Sequence, residues 1–428
     1  MTETPGAGDR RVRVVAVALA INALLNLALA YGLSPPWNET VFTHEAAFAR
    51  GQMRRDSWDP MEAALRHLRS GDGRPVYDAV LFDQRIKFQY PPTSLLALEA
   101  LHRAGEESVA ARLNILTWLA VVITAIATGA LLRAGTRGGR GAALFLLGAA
   151  GTLTFYPVMR AYWLGQIQAW ITALLALLLL AWVHGRRATA GVLLGLACVL
   201  KPHFAIVGVW ALLRRERRFT AAAALTAAAV FAFSLQRYGW ANHLNYLKAI
   251  AFIGRHGEAF YPNQSMNGLL HRLLFNGSNL QFEGDRFAPF APVVFAGTVV
   301  SSLLIVALAL FGRVAPAARG GPLDLCAALL AAVMASPVAW EHHYAVLAPI
   351  DALLVASLLR VGERRWVALL AISYVASANF YAIAQRFAPT AWNPLQSYLY
   401  FGAWIAFGLL LAARARGQGA VGGGGTSR

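Results

Sequence analysis

Long apolar runs separated by short, arginine-rich segments make up most of the chain. About 20 apolar residues carry a helix across the hydrocarbon core of a membrane. On that measure spans are predicted at 14–33, 109–132, 141–157, 163–184, 219–236, 288–311, 322–339, 343–360, 366–386 and 395–413. A further apolar stretch, 188–213, is interrupted by Lys201-Pro202-His203. It is too short for two full spans and too polar at its middle for one, which predicts two short helices meeting at the break. With the ten full spans these make twelve crossings. The first span follows Arg10, Arg11 and Arg13 but is longer than a signal-peptide core, so it reads as a spanning signal anchor.

Two long connections remain, 34–108 and 237–287, and loops of that length commonly carry function. In the first, Met61, Ala64, Leu65 and Leu68 recur three and four apart, with Glu62, Arg66 and Arg69 opposite. That period predicts a helix lying at the membrane surface. Tyr90-Pro91-Pro92 predicts a stiff extended segment leading into an apolar run too short to cross. The expected class is an all-α polytopic membrane protein, with one transmembrane domain over 1–413 and a disordered Gly-rich tail over 414–428.

Composition agrees: 57% hydrophobic and 14% charged residues exclude an ordinary soluble domain. A formal charge of +17 would suggest nucleic acid in a soluble protein. Here the arginines concentrate in the short loops, for example Arg133, Arg137 and Arg140, Arg214, Arg215, Arg217 and Arg218, Arg364 and Arg365, and Arg414 and Arg416. The positive-inside rule puts all of these in the cytoplasm together with both termini, and the two long connections on the other face. Membrane lipids, not nucleic acid, are then the expected surroundings. Cys198 and Cys326 lie in apolar runs, so no disulfide framework is expected.

Polar groups capable of chemistry fall in the segments assigned to that other face. Asp56 and Asp59 admit two readings, a general base acting on a sugar hydroxyl or the N-cap of the predicted surface helix. Arg160, Gln166 and Gln168 stand at the start of a long apolar helix, where the glutamines would bond a sugar or a neighbouring helix. Lys201 at the tip of the broken hairpin needs an anion or water, and a lipid phosphate would supply the anion. Asn263, Gln264, Ser265 and Asn267, followed by His271 and Arg272, suit a hydroxyl-rich ligand, although such residues also build plain turns. Asn38, Asn263 and Asn276 begin glycosylation sequons. Trp340 with His342 and His343 reads as an interfacial belt or as phosphate donors. Adjacent helical histidines point about 100 degrees apart, so no metal site is expected of them.

Taken in order, Asp59 with Tyr77-Asp78, Phe88-x-Tyr90-Pro-Pro, Gly165-Gln166-x-Gln168, Leu200-Lys201-Pro202, Asn263-Gln264-Ser265 with Gly268, and Ser336-Pro-x-x-Trp340-x-His342-His343 resemble the polyprenyl-phosphate-dependent enzymes of glycosyltransferase family 87. The resemblance implies a GT-C fold in a bacterial inner membrane and inverting transfer of a sugar from a polyprenyl-phosphate donor to a glycolipid or lipoglycan acceptor. Mannose in α-1,2 linkage is the first expectation and arabinofuranose the alternative; a lipid or sugar transporter is the competing class. Asp59 would be the base, and Lys201, His342 or His343, Arg160 and Arg272 would hold the phosphate. Asp56, Tyr90, Gln166, Gln168, Asn263, Gln264, Asn267 and Trp340 would contact acceptor or sugar, with no cofactor and no metal.

Overall fold

The computed structural model describes residues 7–32, 40–134, 136, 138–361 and 364–418. Asn38 and the Gly-rich tail beyond residue 418 lie outside the described residues. The chain is helical: α1 Ala7–Gly32, α2 Val41–Ala49, α3 Trp58–Ser70, α4 Leu95–Arg103, α5 Val109–Leu132, α6 Gly138–Leu153, α7 Tyr156–Leu164, α8 Gln168–Val183 and α9 Arg187–Leu200. After these come α10 Ala205–Arg214, α11 Arg217–His256, α12 Met266–Leu273, α13 Pro292–Phe311, α14 Pro322–Met334, α15 Leu347–Val361, α16 Arg364–Ala378 and α17 Tyr398–Ala415. The isolated bridge described is that between Asn263 and Trp340.

Among the described residues six helical stretches are long and apolar enough to cross a membrane, and the pair α6–α7, bent by 51°, makes a seventh. Shorter apolar helices are α8, α9, α10 and α14. The protein is therefore a multi-pass membrane protein. The predicted broken hairpin is present as α9 and α10, which meet at Lys201-Pro202. At the centre, α14 is buried at every one of its positions, as a helix that is apolar all round except for Asp324 must be. The outer helices turn large side chains outward, Leu24 on α1 and Leu225 on α11 among them.

Three expectations change. The apolar face of the predicted surface helix, α3, packs into the protein: Met61, Ala64 and Leu65 are buried in the main core, not laid against lipid. The segment 158–162, left between the predicted spans 141–157 and 163–184, belongs to the buried helix α7. The connection 237–287 is largely helical, because α11 breaks at Gly239 (φ 78) and then resumes to His256. Glycine adopts that backbone without a steric penalty, so the chain turns there without ending the helix.

Ends of distant helices are tied by one buried carboxylate. Asp324 on α14 accepts from Arg214 Nε at 2.7 Å and from Arg414 Nη1 at 2.9 Å, and Arg414 also donates to the Ala309 carbonyl at 2.6 Å. Asp324 and Arg414 are both fully buried. Removing one partner of such a pair leaves an uncompensated charge. Asp324→Ala is expected to lower stability by about 3–5 kcal/mol, read as a fall in the thermal unfolding midpoint in detergent. Asp83→Ala, which breaks an exposed pair with Arg74, should leave the midpoint unchanged.

Candidate active site

Residues 54–57 pass beside the end of α7 and turn into α3. Arg54, Asp56 and Ser57 donate backbone N–H groups to the carbonyls of Trp163 (2.8 Å), Leu164 (2.9 Å) and Gly165 (3.4 Å). Such C-terminal carbonyls have no partner within their own helix, so the pairing satisfies both segments. Gly165 closes α7 in the left-handed conformation (φ +68), and a Cβ there would fall 1.8 Å from the Arg54 carbonyl oxygen. Only glycine allows this approach, which sets Asp56 against Gln166.

The Gln166 amide Nε2 donates to the Asp56 carboxylate. Ser57 Oγ donates to Gln166 Oε1 at 2.7 Å and lies 2.7 Å from the Tyr90 hydroxyl. Its single proton being committed, the Tyr90 hydroxyl is the donor in that contact. Asp56 keeps solvent-accessible surface, yet the protein surrounds it closely enough that burial raises its pKa, against the opposing pull of Gln166 and Arg160. Asp59, one turn further on, points away: its side chain is 68% exposed and pairs with Arg55 Nε at 2.8 Å. Neither aspartate caps α3, because Ser57 holds the N-cap position without a side-chain cap bond.

A second cluster forms where the α9–α10 break meets the turn before α15. Lys201 Nζ donates to Gln168 Oε1 at 2.9 Å and lies 2.6 Å from His343 Nε2. The His342 ring stands 4.8 Å from that of His343, and its buried Nε2 has no hydrogen-bond partner. Arg160 on α7 donates to His44 Nε2 at 3.3 Å and is within electrostatic reach of both Asp56 and His342. His44 is held neutral by burial and by Arg160 and Arg54. Glu341 accepts hydroxyls from Tyr156 (2.9 Å) and Tyr398 (3.2 Å). Gln166 and Gln168 flank Ile167, so one turn of chain links the carboxylate cluster to the cationic one.

The structure thus gathers Asp56, Tyr90, Gln166, Gln168, Lys201, His342, His343 and Arg160, and turns the remaining candidates elsewhere. Arg272, expected at the phosphate, is 1% exposed and donates to Ser397 Oγ (2.7 Å) and to the Asn263 carbonyl (3.1 Å). Asn263, Gln264 and Asn267, expected on sugar, are fully buried. Asn263 Nδ2 donates to the carbonyls of Glu258 (2.8 Å) and Pro337 (3.2 Å), and Gln264 Nε2 to those of Tyr261 (2.9 Å) and Gln396 (2.8 Å). Asn267 accepts from Glu258 N–H at 3.1 Å. These side chains are engaged in holding the loop. Trp340 is half-buried against Phe260 and Phe282. His44 and Ser57 were not anticipated; a single histidine between Thr43 and Glu45 and a single serine between Asp56 and Trp58 carry no pattern that singles them out.

Comparison with known proteins follows the same segments. Residues 88–337 match the family described as glycosyltransferase family 87. Over 323 residues, 71% of this chain and 70% of the relative, the chain is 30% identical to a polyprenol-phosphate-mannose-dependent alpha-(1-2)-phosphatidylinositol mannoside mannosyltransferase of Mycobacterium tuberculosis. No solved structure matches.

Proposed function

We propose, from the premise that the chain belongs to glycosyltransferase family 87, that it transfers mannose from a polyprenyl-phosphate donor to a glycolipid hydroxyl, forming an α-1,2 linkage. The observation that carries this reading is the pairing of one accessible carboxylate, Asp56 on Gln166, with a cationic group one turn away, Lys201 on Gln168 and His343.

Asp56 takes the proton of the acceptor hydroxyl as that oxygen attacks the anomeric carbon. The bond from that carbon to the donor phosphate oxygen breaks on the opposite face, and configuration inverts. The lipid phosphate leaves with its charge met by Lys201, Arg160 and the imidazoles of His342 and His343. Side-chain cations balance the leaving charge in this scheme, which calls on no nucleotide and no metal. Asp59 is left out because its carboxylate is committed to Arg55 and turned outward. The arginine-rich loops support a topology of twelve crossings, both termini cytoplasmic and the reaction on the extracytoplasmic face.

Full-length protein reconstituted in lipid, given labelled polyprenyl-phosphate mannose and a phosphatidylinositol mannoside acceptor, should yield a product sensitive to an α-1,2-specific mannosidase. A nucleotide-linked mannose should yield none. Failure to transfer from a donor shown to bind would overturn the assignment, and transfer from polyprenyl-phosphate arabinose alone would replace the sugar.

The pH dependence follows in sign. A base works deprotonated, and burial raises the Asp56 pKa, so transfer is lost on acidification at a higher pH than an ordinary aspartate would give. Because the Gln166 hydrogen bond lowers that pKa, Gln166→Leu should move the acid limb of kcat/KM further up. Asp59→Asn removes a neighbouring negative charge that raises the Asp56 pKa, so it should move the limb slightly down.

A further inference from the structure

Away from these clusters, a cavity of about 110 Å³ lies among α1, α5, α6, α15 and α16 and shares no residue with them. Apart from Asp351, Thr128, Thr152 and Tyr374 its walls are apolar, with Leu19, Leu147, Phe155, Val355 and Leu370 among them, and among the described residues no lysine, arginine or histidine lines it. Into this surface is set Asp351 of α15, 6% exposed, with neither carboxylate oxygen hydrogen-bonded. An unpartnered carboxyl within an apolar membrane helix is costly, and such groups mark ligand or ion sites. A cavity of this volume has room for more than one water and for an alkyl segment.

We propose that this cavity binds a membrane amphiphile whose apolar body lies along α1 and α15 and whose one hydrogen-bond donor, a hydroxyl or an ammonium, meets Asp351. A phosphate-bearing headgroup does not suit it, because the Asp351 carboxyl would face the phosphate and no cation among the described wall residues would offset it. The Tyr374 hydroxyl on α16 belongs to the same lining and offers the ligand oxygen or nitrogen a second polar neighbour. Ala371, at the rim, is exposed, so a bulky residue there closes the mouth without entering the core.

The test uses full-length protein in lipid nanodiscs and three photoreactive probes of one chain length: an alkyl alcohol, the matching alkylamine and the matching methyl ether. Crosslinked peptides are mapped by mass spectrometry. The alcohol, the amine or both should label α15 or α16 at least about fivefold above the ether, the factor conferred by one net hydrogen bond. Asp351→Leu and Ala371→Trp should each remove that excess. Preference for the alcohol assigns a hydroxyl lipid, and preference for the amine an amino lipid. Equal labelling by the ether, or labelling indifferent to Asp351→Leu, would reduce the cavity to an apolar void. Should Asp351→Leu not fold, Ala371→Trp and the ether comparison decide the question.

Discussion

Asp56→Asn is expected to lower the rate of sugar transfer by about 10²- to 10⁴-fold, the range contributed by a positioned general base, while the donor still binds. The substitution is nearly isosteric, and its amide oxygen can still accept the Gln166 Nε2–H bond that Asp56 accepts. The segment 54–57 is held by backbone bonds to the end of α7, so the site should stay assembled. What is lost is the ability to take the acceptor proton. Asp59→Asn, run beside it, should transfer at close to the wild-type rate, because it breaks only an exposed pair with Arg55. The reverse result, an active Asp56→Asn and an inactive Asp59→Asn, would return the base to the position that the motif order suggests. Donor retention on the membrane, measured in the same samples, separates lost chemistry from lost binding.

Lys201→Met should reduce kcat by about 10²- to 10³-fold, as expected when a donor to a developing oxyanion is removed. Lys201 is 9% exposed and its ammonium faces Gln168 and His343, so in the proposed reaction it opposes the charge that grows on the departing phosphate. Methionine fills similar space without charge and suits an apolar setting. The thermal midpoint should therefore hold, and a fall in kcat without collapse of the fold distinguishes a phosphate role from a merely structural one. An unchanged kcat with a raised KM for the donor would make Lys201 a ground-state binding group; unchanged values of both would remove it from the site.

How far the sequence could be read is clearest residue by residue. The hydrophobic runs located α5, α13 and α17 closely, because crossing a hydrocarbon core depends on length and local composition alone. The Lys201-Pro202 break was equally legible, since proline interrupts a helix wherever the chain goes. The polar motifs were less so. Asn263, Gln264 and Asn267 have the residue types of a sugar site, yet the amides of Asn263 and Gln264 are used by carbonyls of Glu258, Pro337, Tyr261 and Gln396, up to 132 positions distant in sequence, and Asn267 is taken by the Glu258 N–H. Arg272 met the same fate against Ser397. A hydrogen-bonding side chain looks the same in the sequence whether it will face a ligand or a carbonyl.

The sequence by itself thus determined a helical multi-pass membrane protein, the order of its elements, and a set of polar segments in the order of a glycosyltransferase family, because these rest on local hydrophobicity, backbone chemistry and residue identity. The tertiary structure alone decided which of those residues meet. Asp56 and Asp59 are three positions apart and chemically the same. One precedes α3 and is pinned to the end of α7 through Gly165; the other begins the helix on its outer side and finds Arg55. Direction in space, set by packing against a distant segment, separates them.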